Sequence, residues 1–219
     1  MLQLRRRQHV LHKIPIALAL RLHKQSSPGR AISLQRFVSA QINRAFAYFS
    51  AGDFTRAIGD FTEVLRIDPR NTMTHEGRGD AYFLVGRFGE AADDFAATLA
   101  INRGDVHDGL WLYLARHRAQ RDSTREFRDW LATVTDHSWP YPVLQYYAGA
   151  ISRDEFVAAS KASDPAPAKQ RQCQLNAYLG AYESLQGNRA AGRRLFVVAK
   201  RQCDRNFVEY MLAASELKH

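Results

Sequence analysis

The sequence predicts an all-α protein made of antiparallel helix hairpins, and three observations support this. The 219 residues are 46% hydrophobic and 24% charged, which is enough apolar chain for a folded core. One segment recurs at an offset of 34 residues, a period typical of arrays of helical hairpins. Glycine, proline and capping residues fall where helices of that length would end.

The internal repeat appears when residues 43–61 are aligned with residues 77–95. The matched pairs are small or aromatic: Ala47 and Ala81, Tyr48 and Tyr82, Gly52 and Gly86, Phe54 and Phe88, Ala57 and Ala91, and Phe61 and Phe95. Small residues let two helix backbones approach closely, and the aromatic rings fill the space between neighbouring hairpins. Gly52 and Gly86 are predicted to end the first helix of each hairpin in the left-handed conformation.

Beyond the two regular repeats, the signals weaken but continue. Residues 106–134 fit a divergent third hairpin, in which Ser123-x-x-Glu126 predicts a capping box. Residues 135–167 interrupt the period with two short predicted helices, the second of them opened by another capping box at Ser152-x-x-Glu155. We expect residues 164–168 to form a linker, because they hold two prolines.

The last copy of the repeat lies near the C-terminus. It keeps a small residue at Gly180, a turn glycine at Gly187 and an aromatic residue at Phe196. Residues 206–217 then carry apolar residues at helical spacing and predict a closing helix, which a stacked repeat array requires at its end. The predicted segments are 1–36 (a basic disordered or targeting segment) and a folded domain over 37–219, with repeats at 38–71, 72–105, 106–134 and 168–204, the insert at 135–167 and the closing helix at 205–219.

These residues resemble the tetratricopeptide repeat (TPR) family. The resemblance implies a right-handed superhelix of hairpins, whose first helices line a concave groove that binds partner polypeptides. Transferred position by position, the groove residues are Ile42, Phe46, Phe49, Met73, Glu76, Asp80, Phe83, His107, Leu110, Leu114 and Arg118. Such a groove is apolar with few charges, and it suits an extended or helical peptide. An equal alternative for the three phenylalanines is that residues 1–40 or a second subunit cover them.

The order of the elements narrows the resemblance. Two good repeats, a divergent third, the Trp139-Pro140 loop, a last repeat and a closing helix from Asn206 to Leu217 resemble the family of the bacterial outer-membrane lipoprotein NlpI. That resemblance implies an envelope adaptor that dimerises and brings proteases or cell-wall hydrolases to their substrates. It favours the periplasm or cell envelope as the location, with the cytoplasm as the alternative. Neither cysteine lies near the N-terminus, so we expect no lipid-anchor cysteine in this chain.

Charge is distributed unevenly along the chain. Residues 1–44 hold nine Lys or Arg and no acid, whereas the remaining 175 residues hold 22 basic and 22 acidic residues. Because residues 45–219 have no net charge, we do not expect the folded part to bind nucleic acid, which requires an excess of positive charge. The basic segment leaves four interpretations open: a degenerate export signal, a start codon placed too far upstream, a disordered tail or an organellar transit peptide.

The two cysteines flank the last repeat. Cys173 is predicted to precede the first helix of that hairpin and Cys203 to follow the second, so an antiparallel arrangement brings both to the same end. Two interpretations remain open: a disulfide, which would persist in an oxidising compartment, and two free thiols of a cytosolic protein.

No sequence motif indicates catalysis. The chain has no glycine-rich phosphate loop, nucleophile elbow or zinc-ligand spacing, and His107 and His117 are not at the spacing of a metal pair. We therefore expect no enzymatic activity, no catalytic residue, no metal and no cofactor. The first hypothesis is an adaptor that binds other proteins or peptides and also pairs with itself. The second is a cytoplasmic or membrane-surface protein whose basic tail contacts anionic lipid or nucleic acid, the lipid contact being weak.

Overall fold

The computed structural model describes residues 28–161 and 165–217, and these residues form eleven α-helices and no strand. The helices are α1 (Pro28–Ser50), α2 (Phe54–Ile67), α3 (Thr72–Leu84), α4 (Phe88–Ile101), α5 (Val106–Arg118), α6 (Thr124–Leu131), α7 (Tyr141–Tyr147), α8 (Arg153–Ala159), α9 (Pro165–Leu185), α10 (Arg189–Gln202) and α11 (Val208–Glu216). The predicted all-α fold of helix hairpins with a closing helix is confirmed.

The predicted turn glycines end the first helices of three hairpins. Gly52, Gly86 and Gly187 have φ of +78°, +80° and +82°, which only glycine adopts without steric cost. At the first turn, the Asp53 N–H donates to the Tyr48 carbonyl over 2.9 Å and the Gly52 N–H donates to the Phe49 carbonyl over 2.9 Å. These two bonds satisfy carbonyls that the end of a helix would otherwise leave unpaired.

The described residues divide into two compact units, the first ending at Arg78 and the second beginning at Gly79, so the boundary falls inside α3. The first unit contains α1 and α2, which pack as a hairpin around Ala45, Ala57, Phe61 and Val64, all fully buried. Gly77 of α3 lies against the Phe61 ring, so close that an added Cβ would be 2.7 Å from Phe61 Cζ. The absence of a side chain at Gly77 therefore lets α3 approach α2.

The second unit has one continuous core. Its largest fully buried side chains include Phe95, Trp111, Phe156, Tyr178 and Phe196. The pairing of a glycine with an aromatic ring recurs here: an added Cβ would be 2.9 Å from the Phe95 ring at Gly79 and 3.0 Å from the Phe196 ring at Gly180. α9 and α10 pack as a hairpin, and α11 packs on both of them.

A disulfide links Cys173 of α9 to Cys203, the residue that follows α10. The Cys173 and Cys203 sulfurs are 2.12 Å apart and the Cα atoms 4.9 Å apart. Both residues are buried, with exposed fractions of 1% and 8%. Cys173 is predicted from the sequence to precede the first helix, but it lies more than two turns inside α9, because that helix begins at Pro165. Cys203 is the residue that follows α10, so the bond links the two antiparallel helices.

Three local features differ from the sequence-based expectations. α1 begins at Pro28, so residues 28–36 are helical although the predicted folded domain begins at residue 37, and residues 1–27 lie outside the described residues. α9 begins at Pro165, inside the expected linker. Both starts have the same physical reason: proline lacks only an N–H that the first turn of a helix does not use.

The third difference concerns the two predicted capping boxes. At α8 the box is formed, since the Ser152 hydroxyl accepts from the Glu155 N–H and the Glu155 carboxylate accepts from the Ser152 N–H over 2.7 Å. At α6 Ser123 makes no capping hydrogen bond. Instead, Glu126 forms an ion pair with Arg116 of α5, which draws the glutamate away from the helix terminus.

Candidate peptide-binding site

The predicted groove residues of the first unit lie on α1 and α3. Ile42 and Phe49 are buried, whereas Phe46 and Glu76 are half-buried and Met73 is 49% exposed. The Phe46 ring packs edge-on against Phe61 at 5.1 Å between centroids. An added Cβ at Gly77 would be 3.1 Å from Phe46 Cε1, so α1 and α3 approach closely at this point.

Helix geometry places Met73 on the same side of α3 as Gly77. The two residues are four positions apart, and side chains at that spacing share one face of a helix. Gly77 faces Phe46, so Met73 lies one turn earlier along the same pair of helices. Met73 is also the most exposed large apolar side chain among the described residues. Phe46 and Met73 therefore leave apolar surface open to solvent on the first unit.

In the second unit, the residues predicted to line the groove are mostly core residues. Asp80, Phe83, Leu110 and Leu114 are buried, with exposed fractions of 8%, 5%, 0% and 1%. Phe83 packs edge-on against Phe88 at 5.1 Å and against Trp111 at 5.0 Å. His107 is half-buried, with its ring 5.8 Å from that of Trp111. The structure thus brings these side chains together, but it packs them rather than exposing them.

The closing helix explains part of this burial. Arg118, the last predicted groove residue, forms an ion pair with Glu216 of α11 and lies 5.8 Å from the centre of the Phe88 ring. The Ser215 hydroxyl donates to the Leu84 carbonyl over 3.4 Å. α11 therefore contacts the ends of α3 and α5, where a ligand of the second unit would have met Arg118.

A buried polar network fixes α11 against α9. The Glu209 carboxylate, 5% exposed, accepts from Tyr178 Oη over 2.8 Å and from Gln174 Nε2 over 2.9 Å. Tyr147 Oη donates to the Tyr178 carbonyl over 2.7 Å. Burial, reinforced by the Glu209 charge, raises the pKa of Tyr178 well above its usual value. This network is not predictable from the sequence, because Glu209 is indistinguishable there from a solvated glutamate in the first turn of a helix.

Among the described residues, no three His, Cys, Asp or Glu side chains gather in a way that could hold a metal ion. None of the described helices combines the length and the apolar character needed to cross a bilayer.

The fold is of one class throughout the described residues: helix hairpins packed in the manner of tetratricopeptide repeats. Comparison with known proteins agrees, since residues 38–71 match the family model described as "Tetratricopeptide repeat". These are the bounds that the sequence predicts for the first repeat, and they contain most of α1 and all of α2. TPR repeats generally mediate contacts between proteins.

The solved structures similar to this chain include the following two. One is a tetratricopeptide repeat protein from Parabacteroides merdae ATCC 43184, with 16% sequence identity, 92% of this chain and 82% of that chain covered, and a TM-score of 0.47. The other is the MamA protein, with 16% identity, 75% of this chain and 91% of that chain covered, and a TM-score of 0.42.

Proposed function

We propose that this protein is a non-catalytic adaptor that binds a partner polypeptide on the α1 and α3 surface of its first unit. The observation that carries the proposal is the apolar surface left open by Phe46 and Met73, two residues at predicted groove positions. Burial of such side chains in an interface supplies most of its free energy. The half-buried carboxylate of Glu76, one turn after Thr72, would favour one register of the bound peptide over others.

The second unit differs from the first at the corresponding positions, and this difference supports the assignment. There the corresponding positions are packed beneath aromatic side chains and the closing helix. A partner on that unit would first have to displace α11, together with the Arg118–Glu216 ion pair and the Glu209 network. We therefore assign peptide binding to the first unit and a structural role to the second.

The test uses peptides selected from a random phage-displayed library against the full chain. Met73→Ser should weaken the binding of the selected peptides about tenfold or more, the range of an interface anchor. Ile101→Ser is the matched control, because Ile101 is 41% exposed but lies on α4, outside the predicted groove. Affinity is measured by fluorescence polarisation of the labelled peptides, and helicity by circular dichroism.

Two outcomes would reject the proposal: equal weakening by both substitutions, and failure of the library to yield a peptide that binds. Deleting residues 1–27 separates the adaptor from the second hypothesis, action of the basic tail on anionic lipid or nucleic acid. Peptide binding should survive this deletion, which removes none of the described residues. Loss of all peptide binding in this deletion variant would favour the second hypothesis.

We further propose that the protein works in an oxidising compartment, and we favour the cell envelope implied by the resemblance to the NlpI family. The Cys173–Cys203 disulfide supports this, because such bonds persist outside the reducing cytosol. Fractionation of the native cells, followed by thiol labelling without reductant, tests it. Recovery in the cytosolic fraction with two labelled thiols would contradict it.

A further inference from the structure

Residues 45–219 have no net charge, but their basic and acidic residues are unevenly distributed along the chain. Residues 45–164 carry 13 Lys or Arg and 18 Asp or Glu, whereas residues 165–219 carry nine basic and four acidic residues. The excess of positive charge is concentrated further, since residues 189–205 hold six Arg or Lys and a single acid, Asp204. Those residues are α10 and the short segment that follows it.

The basic residues of α10 are on its outer side. Gly192, Phe196 and Ala199 form the buried side of the helix. The opposite side exposes a row at positions i, i+3, i+4 and i+7, which consists of Arg194, Val197, Val198 and Arg201. The two valines are 37% and 40% exposed. The outer face of α10 is therefore cationic with two short apolar side chains at its centre.

Further cations extend this face. Arg189, Arg193, Lys200 and Arg205 are all exposed. Within the part of the chain that the structure describes, none of the six cations of this segment forms an ion pair. Their charge is consequently not neutralised by α9 or α11, where Glu183 pairs with Arg153 and Glu216 pairs with Arg118.

A surface depression adjoins the C-terminal end of the face. It has a volume of about 550 Å³, and its lining includes Lys200, Arg201, Arg205 and Tyr210. Three cations and a phenol around one open depression are suited to a phosphate group, which they can contact through charge-assisted hydrogen bonds.

We propose that the outer face of α10, with this depression, binds the surface of an anionic phospholipid bilayer. Clusters of four to eight cations on a helix are typical of contacts with anionic lipid, and short apolar residues among them can enter the interfacial region. A protein partner would need roughly 800 Å² of complementary surface, usually centred on buried aromatic anchors. The α10 row offers two partly exposed valines instead. This proposal is independent of the peptide site on the first unit.

The test is sedimentation of the full chain with vesicles of roughly 70% phosphatidylcholine and 30% phosphatidylglycerol. Each cation near such a surface is worth about fivefold in binding, so Arg194→Gln with Arg201→Gln should weaken binding about 25-fold. The matched control is Arg56→Gln with Arg125→Gln, two arginines with side chains 68% and 95% exposed on other helices. All variants keep residues 1–44, so the contribution of the basic segment is common to them.

A second variant separates lipid from other polyanions. Val197→Ser with Val198→Ser should weaken vesicle binding about fivefold and leave any binding to duplex DNA unchanged. Unaltered vesicle binding in the arginine variant, equal losses in the control, or equal sedimentation with pure phosphatidylcholine would each overturn the proposal. A loss of DNA binding in the arginine variant with unchanged vesicle binding would also overturn it, and would indicate that the face binds nucleic acid. Thermal melts by circular dichroism confirm that each variant is folded.

Discussion

At the scale of single residues, the turns between paired helices show how local chemistry fixes the hairpins. A left-handed glycine lies two residues after the end of three first helices, but the same position after α5 is occupied by Gln120, with φ of +57°. The hydrogen bonds are nevertheless the same, since the Arg121 N–H donates to the Arg116 carbonyl over 2.9 Å. The third hairpin therefore keeps the geometry of the others although its sequence has lost the glycine.

Gln120→Gly should stabilise the protein by about 0.5 to 1 kcal/mol, because glycine removes the steric cost of a left-handed side-chain residue. Gln186→Gly is the matched control, since Gln186 precedes the left-handed Gly187 and does not itself have positive φ. Gln186→Gly should lower the free energy of unfolding by up to about 1 kcal/mol. Urea denaturation measures both, and equal changes of the same sign would contradict the assignment.

At the scale of the helices, the α9–α10 hairpin combines a disulfide with close backbone packing. Gly180 and Gly192 face each other, and an added Cβ at Gly192 would be 2.8 Å from the Gly180 carbonyl oxygen. The disulfide spans a separation of 30 residues and restricts the unfolded chain over that length. The hairpin thereby holds α10 and its cationic outer face in place.

Removal of the disulfide by Cys173→Ala with Cys203→Ala should lower the free energy of unfolding by about 3 to 4 kcal/mol in the chain-entropy model. Reductant should lower the stability of the native protein by a similar amount and leave the double variant unaffected. Urea unfolding monitored by circular dichroism measures this. A reductant effect on the double variant would show that the loss has another cause.

At the scale of the whole molecule, stability should depend on alkaline pH through buried tyrosines. Burial raises the pKa of Tyr147 and of Tyr178 well above the usual value of tyrosine. Below a pH of about 10 both are neutral in the folded and unfolded states. At higher pH the unfolded chain loses these protons while the folded chain retains them, so stability falls as pH rises.

Each of these tyrosines should contribute up to about 1.4 kcal/mol of lost stability per pH unit above about pH 10. Tyr147→Phe should make the decline shallower. Tyr210 lies in α11 and is only partly buried. Tyr210→Phe should therefore leave the contribution of Tyr147 to this decline unchanged. Urea unfolding at a series of alkaline pH values measures the slope, and an unchanged slope in Tyr147→Phe would contradict the prediction.

The sequence by itself determined the helices, the hairpin turns and the first repeat, because these depend on interactions that span a few residues. Gly52 and Gly86 illustrate this, since each turn is closed by bonds between residues at most five positions apart. Pro165 shows the limit of the same reasoning, since proline is compatible with a linker and with the first turn of a helix.

Only the tertiary structure decided which predicted groove residues remain exposed and where the charges gather. Arg118 forms an ion pair with Glu216, which is 98 residues away in sequence, whereas Met73 is 49% exposed. The neutral total charge likewise did not reveal the cationic face of α10. The physical reason is the same in both cases: burial and local potential depend on side chains that only folding brings together, and their distance along the chain does not encode that proximity.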